Sequence, residues 1–246
     1  MKFESIIKEK LSDKNNIVLG FNVDGLLTID IDKYPSYLIT GETGIGKSVL
    51  LNQILLELID NYDGVNMNII PIDTTGVELA KYVDSHYVID KTPRTPEVAL
   101  ARVLNIIDER KELLKKNEVN TIKEYMDKTK EELPLIVVAV DDNDSLLDKE
   151  DMEKIISSIM NGVKDLHMLF ILATNGYHNK FFDKDFNLYA DVRIAFDTSS
   201  EEDDELINLN DVQTLPVGMF KVSFNDKELL YYSFDFNDSI YDKLIK

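Results

Sequence analysis

The chain has 246 residues, of which 44% are hydrophobic, and carries 46 acidic against 27 basic residues for a net charge of -19. That length and apolar content suffice for one large core or two small ones, and no run approaches the roughly 18 apolar residues of a membrane span. With no cysteine there is no disulfide framework and no thiolate metal site. The imidazoles are His86, His167 and His178, too scattered to hold a structural zinc. The charged opening MKFESIIKEKL is no signal peptide, so the expected setting is a soluble, cytosolic one. The acidity also argues against a nucleic-acid grip, which draws its affinity from Lys and Arg at phosphates. The densest basic cluster, Lys111, Lys115 and Lys116, reads as the solvated face of a helix.

In chain order, residues 1–33 read as an amphipathic opening helix and two short strands, Ile17–Leu19 and Leu26–Ile31, and residues 34–246 as one larger domain. Tyr37–Thr40 is a strand running into a glycine loop. Lys47–Asn61 is a helix with Leu50, Leu51, Ile54, Leu55 and Ile59 on one stripe. Met67–Ile72 is a strand, Ala99–Asn117 a long charged helix, and Leu135–Val140 a strand of the kind buried on both faces. Residues 151–166 keep the helical period over Met152, Ile155, Ile156, Ile159, Met160, Val163 and Leu166. Met168–Ala173 and Val192–Phe196 are further strands, and Phe220–Val222 with Leu229–Tyr232 close the chain as a hairpin. Strands alternating with helices indicate an α/β domain with a central, mostly parallel sheet flanked by helices. Ligands of such sheets sit at the carboxyl ends of the strands.

Gly41-Glu42-Thr43-Gly44-Ile45-Gly46-Lys47-Ser48 matches the phosphate-binding pattern G-x-x-x-x-G-K-[ST], with a strand before it and a helix after it. Glycines let the backbone wrap closely around phosphates, and the N–H groups with the helix N-terminus supply a positive field. Lys47 is expected to reach the β- and γ-phosphates of ATP and Ser48 to ligate Mg²⁺. The strand Leu135–Val140 runs into Asp141 and Asp142. Asp141 is the candidate second holder of Mg²⁺, and Asp142 the group that orients or deprotonates the attacking water. The strand Met168–Ala173 ends in Thr174 and Asn175, where Asn175 is a candidate γ-phosphate sensor and equally an ordinary turn residue. An arginine finger would have to come from Arg94, Arg102, Arg110 or Arg193, the four arginines of the chain. The closing aromatics Tyr231, Tyr232, Phe234 and Phe236 read either as an edge strand facing the core or as an apolar groove for a partner helix.

These segments together resemble the motor domain of the FtsK/SpoIIIE ATPases. YPSYLITGETGIGKSVLLNQILLEL resembles its phosphate-loop segment, and IIPIDTTGVEL its next strand, with Asp73 kept but Thr74 and Thr75 in place of Pro and Lys. DERKELLKKNEVNTIKEYM places Arg110 and Tyr125 at matching positions, and LIVVAVDDNDSLL resembles the strand that usually ends Asp-Glu. LFILATNGY puts Asn175 where Gln is usual, and VRIAFDTSS puts Arg193 at a shared position. GMFKVSF and ELLYYSF resemble the closing strands.

The resemblance implies a RecA-like motor that binds ATP and Mg²⁺, assembles as a ring, usually a hexamer, and threads a polymer through it. Asp142 in place of Glu, one methylene shorter, points to slow hydrolysis. The acidic charge and the weakened motifs favour a type VII secretion ATPase module, working beside neighbouring ATPase domains on small helical secreted proteins. Such a module sits on the cytoplasmic side, with any membrane anchor in a part ahead of this sequence. The alternatives are a DNA translocase, which the charge disfavours, and a docking domain that no longer hydrolyses ATP.

Overall fold

The computed structural model describes residues 13–62, 66–88, 95–142, 146, 151–175, 186–198, 200–225 and 227–234. The opening helix expected within residues 1–33, together with Arg94, His178 and Phe236, lies outside them. The chain order is β1 (Asn16–Asn22), β2 (Gly25–Asp30), β3 (Ser36–Thr40), α1 (Lys47–Asn61), β4 (Met67–Asp73), α2 (Ala80–Val83), α3 (Pro96–Asn117), α4 (Ile122–Thr129), β5 (Leu135–Asp142), α5 (Met152–Gly162), β6 (Met168–Thr174), β7 (Val192–Ala195), α6 (Glu201–Ile207), β8 (Met219–Phe224) and β9 (Lys227–Tyr232). The strands form one nine-stranded sheet in the order β2-β1-β9-β8-β7-β3-β6-β5-β4.

Five of these strands, β7-β3-β6-β5-β4, are parallel. The remaining pairings, from β7 outward to β2, are antiparallel. The parallel sheet expected from the sequence is therefore one side of a larger mixed one, from β7 out to β4. Within it, β6 separates the strand that leads into the glycine loop from the strand that ends in the paired aspartates.

Each parallel strand is apolar on both faces, and its alternate residues feed two separate cores. Tyr37, Ile39, Val137, Ala139, Ile171 and Ala173 join Leu50, Leu51, Ile54, Leu55 and Leu58 of α1 on one face. Leu38, Val138, Val140, Phe170 and Leu172 join Leu100, Val103 and Ile107 of α3 and Ile156, Ile159 and Met160 of α5 on the other. The α5 helix stops at Gly162, four residues short of the expected end. Val163 and Leu166 are nonetheless buried in that second core, so the apolar period outlasts the helix. A Cβ at Gly162 would stand 3.1 Å from Ile107 Cδ1, and this small residue lets α5 approach α3 closely.

Two polar ties fix the edges of this architecture. Arg110, buried on α3, donates to the carbonyls of Leu166, His167 and Pro134. It thereby holds the turns that enter β5 and β6, and burial lowers its pKa to about 10. On the other face, Glu57 of α1 accepts from Val18 N at 2.9 and 3.0 Å, while Gln53 donates to Val18 O at 2.8 Å. These contacts clamp β1, and with it residues 16–30, onto the helix that follows the glycine loop.

Burial pushes the Glu57 carboxyl up to about 8. The unfolded group ionises near its ordinary value while the folded one stays protonated, so its stabilisation is fully present below pH 4.5 and is lost as pH rises through 8. In urea melts across that window, Glu57→Gln should show a shallower fall in stability than the parent, by about 5 kcal/mol over the whole range. Parallel curves for the two proteins would mean that Glu57 is ionised throughout.

Candidate nucleotide-binding site

The glycine loop turns out of β3 and into α1 through Gly41, Gly44 and Gly46, at φ of 137°, 84° and 123°. Only glycine takes these values without strain. A Cβ on Gly41 would in addition stand 2.6 Å from Ile45 Cδ1 and 2.9 Å from Phe196 Cβ. The Phe196 ring lies 3.3 Å from the place of a Cβ on Gly46, so an aromatic floor packs under the loop. Glu42 N donates to Asp197 O at 3.0 Å and Phe196 N to Thr40 O at 3.0 Å, which seats the loop on the chain leaving β7. The α1 helix has no side-chain N-cap and no acid in its first turn. Its first N–H groups therefore face the loop with the helix's positive end.

Lys47 is 5% exposed. Its Nζ sits inside the loop and donates to Gly41 O and Glu42 O, both at 2.8 Å. Ser48 Oγ donates to the carboxylate of Asp141, at 3.1 and 3.3 Å to its two oxygens. Asp141 ends β5 and is buried. Burial raises its pKa to about 6, the Ser48 hydrogen bond opposes this, and the charges of Asp73 and Glu78 add to it. A dry carboxylate beside a hydroxyl and an ammonium, under a helix N-terminus, fits Mg²⁺ and polyphosphate in its donor set. Among the described residues no three His, Cys, Asp or Glu side chains cluster as a metal site. A cation at Ser48 and Asp141 would therefore complete its shell with phosphate oxygens and water.

Strand register brings these groups to one line. Asp73 pairs with Asp141, Asp141 with Ala173, and Ala173 with Ile39 at the carboxyl ends of β4, β5, β6 and β3. Asn175, just past β6, donates from Nδ2 to Thr43 Oγ1 at 3.2 Å, so the candidate sensor touches the loop directly. The carboxylate of Asp73 accepts from Thr75 N, Thr75 Oγ1, Gly76 N and Leu79 N at 2.8 to 2.9 Å. Burial pushes that group up, but these hydrogen bonds outweigh it and hold the carboxyl below its usual range.

The structure gathers Lys47, Ser48, Asp141 and Asn175 and leaves two expected residues apart. Asp142 follows Asp141 in the same strand and so points to the opposite face. It is fully buried there, accepting from Leu146 N at 2.9 Å and Thr174 Oγ1 at 3.2 Å. Arg193, on β7, is spent on Asn208 O at 3.2 Å and Ser223 Oγ at 3.0 Å. Its register partner Leu38 lies below the carboxyl end of β3 and faces the second core.

Neither Thr74, which donates from N and Oγ1 to Asp141 O at 3.1 and 3.3 Å, nor Asn52 and Tyr82, considered below, was expected from the sequence. Their contacts depend on a loop conformation that no local pattern shows. A cavity of about 500 Å³ opens at the far, amino end of the strands, lined by Asp32, Met126, Leu133 and His167 among others, and none of the motif residues reaches it.

The pattern of the FtsK/SpoIIIE family matches residues 5–180. The chain belongs to that family. Its curated relatives include the DNA translocase SpoIIIE of Bacillus subtilis (strain 168), 27% identical over 90% of this chain and 32% of the relative. Another is the DNA translocase FtsK of Lactococcus lactis subsp. cremoris (strain MG1363), 30% identical over 78% of this chain and 27% of the relative. The chain thus spans about a third or less of the length of these FtsK/SpoIIIE proteins.

Among solved structures, the pCW3 conjugation coupling protein TcpA, determined with ATPγS, shares the fold at a TM-score of 0.78 and 20% identity, over 96% of this chain and 71% of that one. EssC (ATPases 2 and 3) from Geobacillus thermodenitrificans does so at 0.77 and 19%, over 94% of this chain and 47% of that one. The fold is that of the P-loop ATPases of this family: a large central sheet flanked by helices. No described helix is long and apolar enough to cross a membrane.

A methyl at Gly41 meets two side chains and a forbidden backbone angle at once. Gly41→Ala should therefore weaken ATP binding by at least about tenfold, from a few kcal/mol of loop strain. Isothermal calorimetry reads this directly, and an unchanged affinity would mean that the loop re-forms around the methyl.

Proposed function

We propose that the chain is an ATP-driven motor module in which Lys47 holds the β- and γ-phosphates, Ser48 and Asp141 hold Mg²⁺, and Asn175 senses the γ-phosphate through the loop. The observation that carries this is the Ser48–Asp141 hydrogen bond beneath a glycine loop whose centre already holds the Lys47 ammonium. Mg²⁺ supplies charge neutralisation between the phosphates when bound. The protein's own groups bind, orient and exclude water. Asp142 acts on the attacking water only after leaving its bonds to Leu146 and Thr174, so turnover is coupled to a local rearrangement at the end of β5. Arg193 completes no site in its own subunit, and an arginine finger, if the working form is a ring, is supplied between subunits.

Two cargoes have separate support. Double-stranded DNA is favoured by the curated relatives, which are DNA translocases at 27% to 30% identity. A small helical secreted protein is favoured by the net charge of -19. It is also favoured by fold likeness to EssC and to Thermomonospora curvata EccC, one structure of which holds a signal sequence peptide. The fold does not separate these branches, since TM-scores of 0.78 and 0.77 fall on either side. The curated relatives named above lean toward DNA, and net charge describes the whole surface rather than the lining of a ring. DNA is accordingly the first reading and the type VII secretion module, beside neighbouring ATPase domains and on the cytoplasmic side of a membrane anchor, the second.

ATP turnover measured with and without linear duplex DNA at fixed salt decides between them. DNA reading: turnover rises at least severalfold with duplex and vanishes in Lys47→Ala. Secretion reading: turnover ignores duplex but responds to a helical export-signal peptide. Asp142→Asn keeps an oxygen for Leu146 N, so it should retain bound ATP yet lose about 10²-fold or more in turnover, the scale of a lost general base. Unaltered turnover would remove Asp142 from the chemistry.

A further inference from the structure

The α1 helix is apolar wherever it faces its core, except at a few positions. One of these is Asn52, 2% exposed. A buried amide is costly unless its hydrogen bonds are made, and both ends of this one are used. Its Nδ2 donates to Ser48 O at 2.8 Å, and its Oδ1 accepts from the hydroxyl of Tyr82 at 3.0 Å. Tyr82 is itself fully buried on α2. An aliphatic side chain at 52 with phenylalanine at 82 would fill the same space without desolvating an amide and a phenol. What the polar pair adds is direction, because it fixes the backbone of the residue whose hydroxyl faces Asp141.

The same stretch of chain holds the other half of the site. Thr74 donates from N and Oγ1 to Asp141 O. Between Thr74 and Tyr82 the loop is braced by Asp73, which accepts from Thr75, Gly76 and Leu79. The contacts therefore close a circuit. Ser48 Oγ reaches the Asp141 carboxylate, Asp141 O is held by Thr74, the braced loop leads to Tyr82, and Tyr82 returns through Asn52 to Ser48 O.

We propose that Tyr82 and Asn52 are positioning residues for the metal half of the site, and that residues 73–83 act as a bracket setting Ser48 against Asp141. This rests on the reading of Ser48 and Asp141 as the Mg²⁺ holders. The hydrogen bonds of this bracket go to Asp141 and Asn52, on the metal side of the site, so it governs how well Mg²⁺ assists nucleotide binding and leaves binding without metal alone.

The test uses the full 246-residue chain, ATPγS as the probe and binding as the readout, at pH 7.5 with Mg²⁺ titrated from an EDTA baseline. Tyr82→Phe should raise the Mg²⁺ concentration at half-maximal enhancement by about fivefold, while ATPγS affinity in EDTA stays within about twofold. Asn52→Ala should do the same, and the double variant should be no worse than either single one, the non-additive signature of one chain of contacts. A Mg²⁺ midpoint that does not move in Tyr82→Phe overturns the proposal. So does a loss of EDTA affinity by the same factor, which would make the pair a packing feature of α1. If Mg²⁺ does not enhance ATPγS binding even in the parent protein, the metal reading of Ser48 and Asp141 falls and the bracket with it. That result is distinct from enhancement that Tyr82→Phe leaves untouched.

Discussion

The register of the parallel strands is the constraint on which the rest depends. Ile39, Ala173, Asp141 and Asp73 stand side by side across four strands, so four separate segments end at one level. Had β5 slipped by a single residue, the alternation of side chains would have sent Asp141 to the face of α3 and α5 and brought Asp142 to Ser48. Burial on both faces forbids such a slip. Val137 and Ala139 are committed to the core under α1, and Val138 and Val140 to the opposite one. The chemistry of the site thus follows from packing far below it. The same register places β6 between β3 and β5, which opens the gap into which Thr43 and Asn175 reach from opposite sides.

Much of this was legible in residue patterns because the deciding forces are local and periodic. The apolar stripe of α1, the β-branched runs of β5 and β6 and the glycines at 41, 44 and 46 carry their structure in spacing alone. What was missed has a physical reason in each case. The α4 and α6 helices are short and mostly polar, and only Ile122, Tyr125 and Met126 mark a period in α4. Their starts are nonetheless written as caps: Thr121 Oγ1 accepts from Glu124 N, with Glu124 returning to Asn120 N, and Ser200 Oγ accepts from Asp203 N. Asp141 and Asp142 are adjacent in sequence, and the same strand period that identifies β5 turns them to opposite faces. Nothing in the sequence announces Asn52, Tyr82 or Thr74, whose partners lie in other segments.

The antiparallel half of the sheet does different work. The β8–β9 hairpin and residues 16–30 carry no motif residue, yet they are joined to the site through α1. Gln53 and Glu57 hold Val18 from the same helix whose first turn presents Lys47 and Ser48. The strand β1 is thus tied to α1 by hydrogen bonds as well as by the apolar packing of Ile17, Val18 and Leu19. Glu57, with its carboxyl raised by burial, accepts from Val18 N with no cation beside it among the described residues.

In this structure the chemically capable groups are engaged with the protein itself. Lys47 is bonded to loop carbonyls, Asp142 to Leu146 and Thr174, Asn175 to Thr43, and Arg193 to Asn208 and Ser223. On the proposed reading, binding ATP is an exchange of partners rather than an addition of new ones, and exchanged hydrogen bonds contribute little net free energy each. What the exchange changes most is geometry. Withdrawing Lys47 from Gly41 and Glu42 frees the two carbonyls that shape the loop, and Glu42 is bonded in turn to Asp197 on the chain leaving β7. The loop is thus tied to the chain leaving β7 on one side, and through Thr43 and Asn175 to the end of β6 on the other. On the proposed reading, Lys47 and Asn175 trade partners when ATP binds, and that exchange turns nucleotide affinity into displacement.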